Sequence, residues 1–188
     1  MRGFGIMGLA GSGKDTLGSW LVREHGFGRV AFADPLKNAL LIADPYIATD
    51  SRHGYKHPAG NWARVSDIVG EFGWERAKSQ REVRRLLQNY GQSVRGMDPG
   101  FWVRAGVKVA RAVDASGKPV VVTDVRYPNE ADALRAAGLR LVWIDRPGIA
   151  RMKHESENQL GPEDADHVLY NDSTTEALFA QASDQLNI

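Results

Sequence analysis

The sequence predicts an α/β fold built on a doubly wound parallel sheet of five strands, with helices on both faces. Three observations support this fold. Short apolar segments alternate with helix-like segments along most of the chain, which is typical of a parallel sheet with helical connections. Residues 120–122 are consecutive valines without polar alternation, as in a strand buried on both faces. A glycine-rich turn separates the first apolar run, 3–9, from the first helical segment.

The first three elements follow from apolar runs and from glycine. The run 3–9 is predicted to be the first strand, and 14–25 the first helix, because Gly26 follows as a C-terminal glycine. A second strand is predicted over 29–33.

A helix over 35–43 is predicted next, with Asp34 as its N-cap and Pro35 in its first turn. Turn-forming residues dominate 44–61, so we expect a mobile loop there. The remaining predicted elements are helices over 80–95 and 98–114, a strand at 120–123, a helix at 129–137, a strand at 139–144, an irregular segment 146–164, a strand at 167–170, and a last helix from Thr174 with Ser173 and Glu176 as a capping box.

The helix over 80–95 has two distinct faces at helical spacing. Its apolar face consists of Val83, Leu86, Leu87 and Tyr90, and its polar face of Arg81, Arg84, Arg85 and Gln88. The polar face is either a solvated helix surface or a surface that binds anions, and the sequence pattern is equally compatible with both.

Composition narrows the functional classes. The 188 residues fit one domain with at most a small appended lobe. Lys and Arg total 24 against 23 Asp and Glu, which argues against a general binder of nucleic acid or membrane surfaces. Residues 155–188 hold eight acids and no Lys or Arg, so the preceding part is net basic and suited to anionic ligands. The absence of cysteine excludes disulfides and thiolate sites, and with no membrane-length apolar run it predicts a soluble, cytoplasmic protein.

The most informative segment follows the first strand. It reads Gly8-Leu9-Ala10-Gly11-Ser12-Gly13-Lys14-Asp15-Thr16 and fits the phosphate-loop pattern G-x-x-x-x-G-K at the start of a helix. The cofactor-binding residues are therefore expected to be Gly11, Ser12, Gly13, Lys14, Asp15 and Thr16. Lys14 would contact the β and γ phosphates of ATP, and Thr16 would ligate Mg²⁺. Asp15, which separates Lys14 from Thr16, favours a small-molecule kinase over a GTPase or motor.

Further candidates lie where predicted strands end. Asp124 closes the valine-rich strand and is either a Mg²⁺ ligand or a turn cap before Pro128. Arg126 could bind a phosphate or form a surface ion pair. Asp34, three residues before Lys37, could orient or deprotonate an acceptor, or could cap its helix.

Several segments together resemble the deoxynucleoside monophosphate kinases of tailed bacteriophages. They are GLAGSGKDT, FADPLK, RRLLQNYGQSVR with the following Phe101-Trp102-Val103, TDVRYPNE, and the late HESE and LYND. The resemblance extends from about Gly3 to about Asp172. It implies a P-loop NTPase fold and transfer of the γ-phosphate of ATP to a deoxynucleoside monophosphate, for phage DNA precursor synthesis.

The resemblance also implies roles for individual residues. Ser12 to Thr16 would bind the ATP phosphates. The residues implied at the acceptor monophosphate are Asp34, Lys37, Arg84, Gln88, Arg95, Trp102 and Arg126. Arg146 and Arg151 would lie in a lid over about 146–164, where Arg146 would also bind the cofactor ATP. About 44–114 would be a helical insertion for the acceptor. The implied catalytic residues are Lys14, Asp34, Arg126 and Arg151.

The sequence departs from the family pattern at one place, and two alternative functions remain open. Gly91-Gln92-Ser93 stands where family members often have Gly-Thr-Glu, which leaves base preference open. The alternatives are another small-molecule P-loop kinase, such as one for dephospho-coenzyme A, and a non-catalytic nucleotide-binding module. The expected partners are small-molecule nucleotides, with no membrane or stable nucleic-acid binding and with a homodimer possible.

Overall fold

The computed structural model describes residues 1–49, 62–149 and 159–188. In chain order the elements are β1 (Gly3–Met7), α1 (Lys14–His25), β2 (Gly28–Val30), α2 (Ala33–Ala43), β3 (Tyr46–Ala48), β4 (Trp62–Arg64), α3 (Val65–Ala77), α4 (Arg81–Met97), α5 (Phe101–Ala115), β5 (Val120–Val122), α6 (Pro128–Ala136), β6 (Arg140–Asp145), a 3₁₀ turn (Pro162–Asp164), β7 (His167–Tyr170) and α7 (Thr175–Leu186). Among the described residues no helix is both long and apolar enough to cross a membrane.

Five strands form one parallel sheet in the order β2-β5-β1-β6-β7. The central strand β1 pairs with both β5 and β6, with Gly5 opposite Val122 on one side and Leu141 on the other. The predicted α/β fold with a five-stranded parallel sheet is therefore confirmed. Because parallel strands end at one edge, the segments that follow β1, β5, β6 and β7 meet there.

Helices cover both faces of this sheet, as predicted. One apolar cluster joins Leu17 and Leu21 of α1 to Leu178 of α7 and to alternate strand residues such as Val121. The cluster on the other face includes Ala110 of α5, Leu134 of α6 and the two valines that flank Val121. The valine-rich strand thus packs on both sides, which is the physical reason for its lack of polar alternation.

The described residues divide into two compact units. Met1–Phe32 together with Val103–Ile188 forms the first, here the sheet unit, and Ala33–Trp102 forms the second, here the helical unit. The helical unit has its own core, which includes Leu40, Ile47, Ala63, Val65, Ile68, Ala77 and Val83.

The prediction that 44–61 is a loop is wrong at its start. Residues Tyr46–Ala48 form β3, which pairs antiparallel with β4, so that Ile47 lies opposite Ala63 and both are buried. The pairing joins residues far apart in sequence, and local turn propensity does not reveal it. The rest of the predicted loop, 50–61, lies outside the described residues.

Two predicted helix caps are also wrong. The helix α2 begins at Ala33, so Asp34 lies inside its first turn and forms an ion pair with Lys37. The last helix is capped by Thr174, whose side-chain oxygen accepts a hydrogen bond from the Ala177 amide at 3.2 Å, and not by Ser173 with Glu176. In both segments the observed helix start differs from the predicted one by one or two residues, the range within which helix boundaries are uncertain from sequence.

Candidate active site

The phosphate loop between β1 and α1 depends on glycine at three positions. Gly8, Gly11 and Gly13 have φ values of 139°, 78° and 109°, which side-chain-bearing residues rarely adopt. A Cβ atom on Gly8 would lie 2.7 Å from the Ile144 carbonyl oxygen. The sequence pattern therefore reflects backbone geometry: the loop turns sharply while packed against the end of β6.

Lys14 spans the start of this loop. Its Nζ donates hydrogen bonds to the carbonyl oxygens of Gly8, at 2.6 Å, and Leu9, at 2.7 Å. The Ser12 amide donates to the same Leu9 oxygen at 3.1 Å. These bonds hold an ammonium group at the N-terminus of α1, where the helix dipole also favours an anion.

The Ser12 hydroxyl is the atom of the loop that most directly fits a phosphate ligand. Ser12 is 1% exposed, and its Oγ finds no hydrogen-bond partner among the described residues. A buried polar group without a partner is costly, at about 1–3 kcal/mol. A phosphate oxygen would satisfy it, so the loop fits the phosphates of a nucleotide.

Thr16 and Asp124 are the residues predicted to hold Mg²⁺. Thr16 is exposed in the first turn of α1, and Asp124 is half-buried just after β5, where its Oδ1 accepts a hydrogen bond from the Phe32 amide at 2.7 Å. Within the described ranges no group of three or more acidic, His or Cys side chains is placed to hold a metal. Hydroxyl and carboxylate oxygens still suit Mg²⁺, which takes few protein ligands when substrate phosphates supply others.

Arg126 lies on a turn that a buried carboxylate organises. Glu130 is 2% exposed, and its Oε2 accepts hydrogen bonds from the Arg126 amide at 2.8 Å and the Tyr127 amide at 3.2 Å. The Arg126 residue itself is exposed. A fixed backbone thus carries an exposed arginine at the edge of the sheet where the phosphate loop lies.

Arg146 follows β6 and contacts the phosphate loop directly. Its Nη1 donates a hydrogen bond to the Gly11 carbonyl oxygen at 3.0 Å. Arg151, the other arginine expected in a lid, lies outside the described residues.

Six predicted acceptor residues belong to the helical unit. Among them, Lys37 and Asp34 form an ion pair of 3.0 Å, and the Lys37 side chain is 16% exposed against 37% for Asp34. Their spacing of three residues places both side chains on one face of α2, where they can pair. The pairing holds a largely covered ammonium group next to a more open carboxylate.

The basic face of α4, formed by Arg81, Arg84, Arg85 and Gln88, is exposed as predicted. Its arginines differ in their contacts. The Nε of Arg84 donates to the Lys78 carbonyl oxygen at 3.2 Å, whereas Arg85 donates twice to Glu82, at 3.0 and 2.8 Å. The hydrogen bond from Arg85 lowers the pKa of Glu82, and the same bond raises the pKa of Arg85. Arg85 is thus partly neutralised by its own helix.

Arg95 and Trp102 lie at the end of this segment. Arg95 is half-buried in the last turn of α4. Trp102 is 5% exposed, and its indole N–H donates to the Gly91 carbonyl oxygen at 3.1 Å. Its ring also meets Tyr90 and Phe101 edge-on. The Trp102 side chain therefore packs inside the helical unit, and its proposed contact with an acceptor stays a prediction.

Within the sheet unit, the structure brings together the phosphate loop and the polar residues that follow β5 and β6. Sequence reasoning missed one further member, Asn171, which follows β7. Its side-chain amide donates to the Ser12 carbonyl oxygen at 2.8 Å. The sequence did contain an indication of Asn171: the polar pair Asn171-Asp172 directly follows an apolar segment predicted to be a strand. The carboxyl end of that strand lies at the same sheet edge as the glycine loop. Glu130, within DVRYPNE, was likewise not singled out.

Comparison with known proteins identifies the family of this chain. Residues 63–182 match the family described as deoxynucleotide monophosphate kinase. This match begins after the phosphate loop, so the match to the family model and the geometry of the loop are separate observations.

Individual relatives agree with this assignment. A protein of Acanthamoeba polyphaga mimivirus named putative deoxynucleotide monophosphate kinase is 34% identical, over 94% of this chain and 92% of its own length. The deoxynucleotide monophosphate kinase of Enterobacteria phage T4 is 28% identical, over 89% of this chain and 66% of its own length.

A solved structure shows the fold. A sugar kinase from a Janibacter species superimposes with a TM-score of 0.52 at 17% identity, covering 100% of this chain and 95% of that one. At this identity the likeness concerns the fold alone, whereas the sequence matches concern the family. The chain belongs to the deoxynucleotide monophosphate kinase family and is a kinase.

Proposed function

We propose that this chain transfers the γ-phosphate of ATP to a deoxynucleoside 5′-monophosphate and produces the diphosphate. The observation that carries the proposal is the phosphate loop, with Lys14 held across it and the buried Ser12 hydroxyl left without a partner. Membership of the family indicates that the phosphate acceptor is a deoxynucleoside monophosphate.

The donor would be bound by Gly11, Ser12, Gly13, Lys14, Asp15 and Thr16. Lys14 already lies within hydrogen-bond distance of two loop carbonyls, so only a short movement of a flexible side chain would place its charge on the β and γ phosphates. The Ser12 hydroxyl would hydrogen-bond to a phosphate oxygen.

Mg²⁺ would be held by Thr16 and Asp124, directly or through water. When bound, the ion would neutralise charge on the β and γ phosphate oxygens. Asp124 has a second task in this arrangement, since it holds the Phe32 amide and so the chain that leaves β2.

In the reaction, an oxygen of the acceptor phosphate attacks the γ phosphorus, and the bond from that phosphorus to the β–γ bridging oxygen breaks as ADP leaves. An ionised phosphate is already a competent nucleophile, so the protein mainly positions the reactants and neutralises their charge. We assign Arg126 to the transferring or accepting phosphate, because Glu130 fixes its backbone and leaves its residue exposed.

The acceptor would be bound by Asp34, Lys37, Arg84, Gln88, Arg95 and Trp102. The Asp34 carboxylate would orient the acceptor while Lys37 neutralises phosphate charge; their ion pair of 3.0 Å supports a shared task. Arg84 is the favoured phosphate contact on α4, because among the described residues it bonds to the neutral Lys78 carbonyl oxygen, whereas Arg85 bonds to the Glu82 carboxylate.

The relatives also suggest the biological role of the reaction. The named relatives are viral, which supports a role in DNA precursor synthesis in the cytoplasm of an infected host. The lid over 146–164, with Arg151 on the transferring group and Arg146 beside the nucleotide, and the acceptor insertion over 44–114 stay predictions, as do the absence of nucleic-acid binding and the homodimer.

The test is a substrate panel with the purified chain, ATP and Mg²⁺. It contains the four common deoxynucleoside monophosphates, their ribose counterparts and dephospho-coenzyme A, with products separated by anion-exchange chromatography. We expect diphosphate from at least one deoxynucleoside monophosphate, with ADP formed in equal amount.

The panel also identifies failure. Turnover of dephospho-coenzyme A alone would reassign the acceptor. No turnover of any monophosphate, by protein shown to be folded by circular dichroism, would contradict the proposed function.

A further inference from the structure

Asn171 contacts the phosphate loop although it lies far from it in sequence. It follows β7, and its Nδ2 donates a hydrogen bond of 2.8 Å to the Ser12 carbonyl oxygen. Its own backbone is fixed as well, because the Asn171 amide donates to the Asp145 carbonyl oxygen at 2.7 Å. The side chain is thus held by the ends of two neighbouring strands, β6 and β7, and reaches the loop that follows β1.

The bond determines the orientation of one peptide group. In a trans peptide the C=O and the following N–H point in opposite directions. With the Ser12 carbonyl turned toward Asn171, the Gly13 N–H points to the other side, and it makes no hydrogen bond to another described residue. A peptide rotated the other way would present a partly negative oxygen where the N–H now points.

Close packing reinforces the contact. A Cβ atom on Gly13 would lie 2.7 Å from the Asn171 Nδ2, so the amide fits against the loop only because position 13 is glycine. Gly13 and the distant Asn171 are therefore in close contact, and a change at either would disturb the other. Arg146 makes a comparable bond to the Gly11 carbonyl oxygen, one peptide earlier.

We propose that Asn171 is a positioning residue for ATP: it holds the Ser12–Gly13 peptide so that the Gly13 N–H faces the donor phosphates. The inference rests on the proposed function for its ligand. It assigns Asn171 no contact with the reacting atoms and no part in binding the acceptor.

The experiment compares Asn171→Asp and Asn171→Ala with wild type. Asn171→Asp keeps the shape of the side chain but replaces the donor with an acceptor that repels the Ser12 carbonyl. We expect the dissociation constant of a non-hydrolysable ATP analogue, measured by titration calorimetry, to rise about tenfold in Asn171→Ala and further in Asn171→Asp, since a neutral hydrogen bond changes an equilibrium by up to about a factor of ten. In steady-state assays the KM for ATP should rise while the KM for the monophosphate stays within about twofold.

The chain offers a matched control in Gln181. Its side-chain Oε1 accepts a hydrogen bond of 2.6 Å from the Tyr170 amide, one residue before Asn171. In the part of the chain that the structure describes, Gln181 makes no hydrogen bond to the phosphate loop. Gln181→Ala should lower the melting temperature about as much as Asn171→Ala while leaving the affinity for the ATP analogue unchanged.

Each outcome decides the proposal. Affinity for the ATP analogue within about twofold of wild type in folded Asn171→Asp would overturn it, and so would an equal loss in Gln181→Ala. If Asn171→Ala does not fold, Asn171→Asp alone decides. The binding measurement needs no acceptor, so a protein that binds the analogue but phosphorylates no monophosphate would contradict the proposed function while still testing Asn171.

Discussion

The phosphate loop of the sheet unit and the basic face of α4 in the helical unit both offer positive charge to anions, but they are built differently. In the loop, backbone groups are fixed by Lys14, Arg146 and Asn171, which hold carbonyl oxygens of residues 8, 9, 11 and 12. On α4 the charge belongs to exposed side chains, of which Arg84 bonds to the Lys78 carbonyl oxygen and Arg85 to the Glu82 carboxylate. A site made of backbone is organised before its ligand arrives, whereas a site made of long side chains becomes ordered on binding.

The largest expected effect is on the loop. Lys14→Ala removes the ammonium expected at the β and γ phosphates, and we expect turnover to fall by about 10²–10⁴, equivalent to about 3–5 kcal/mol of transition-state stabilisation. The measurement is the steady-state rate with ATP and the best monophosphate of the panel. Circular dichroism of the variant serves as control, because Lys14 also bonds to the Gly8 and Leu9 carbonyls. A variant that retains more than about a tenth of wild-type turnover would remove Lys14 from the mechanism.

The next effect separates two neighbouring arginines on α4. Arg84→Gln should raise the KM for the monophosphate about tenfold and leave the KM for ATP within about twofold, as expected on losing a charged hydrogen bond to phosphate. Arg85→Gln is the matched control, because Arg85 is engaged by Glu82 and should change both constants by less than about threefold.

Equal effects of the two substitutions would show that only the overall charge of α4 matters. If neither substitution changes either constant, the face is a solvated surface, and Arg95 and Arg126 become the remaining candidates for the acceptor phosphate.

The smallest effect concerns the stability of the helical unit. Asp44 has a left-handed backbone, with φ of 38°, and its carboxylate accepts hydrogen bonds of 2.9 Å from both the amide and the hydroxyl of Ser66 in the first turn of α3. Asp44→Ala should lower the free energy of unfolding by about 1 kcal/mol, as for loss of a helix cap. Urea denaturation provides the measurement. Asp67→Ala, an exposed acid in the same turn, should cost less.

The same contact has a defined pH dependence. The Ser66 amide bond, aided by Arg64, lowers the pKa of Asp44 below its ordinary value of 3.8. Because the folded-state pKa is depressed, the stabilisation is present above pH 3.8 and is lost as the pH falls through the folded value. The difference in stability between wild type and Asp44→Ala should therefore shrink in acid. A difference that stays constant from pH 7 to pH 3 would contradict an ionic contribution.

The sequence is most informative where local geometry restricts residue choice. The loop glycines, the Gly26 helix end and the valine-rich β5 each have a backbone or burial requirement that few residues meet, and these elements were predicted within a few residues. The helix α3 was not predicted, since Gly73, with φ of 69° and ψ of 168°, interrupts its helical pattern.

Contacts between distant segments were less accessible to sequence reasoning. Asn171 reaches Ser12 only because β6 and β7 pair in parallel beside β1, and the hairpin of β3 with β4 forms across an intervening segment. In both cases the contact depends on strand pairing between distant segments, which local sequence patterns do not specify. The contacts of the α4 arginines were also not predictable, because Arg84 bonds to a backbone carbonyl oxygen and Arg85 to the Glu82 carboxylate.

The central claim is that the phosphate loop binds the donor while residues of the helical unit bind the acceptor. The most direct test titrates Lys14→Ala and Arg84→Gln separately with a non-hydrolysable ATP analogue and with the best monophosphate of the panel, using calorimetry. Lys14→Ala should lose at least tenfold in affinity for the analogue and keep that for the monophosphate, and Arg84→Gln should show the reverse. Wild-type affinity of Lys14→Ala for the analogue, or parallel losses of both ligands in both variants, would contradict the account.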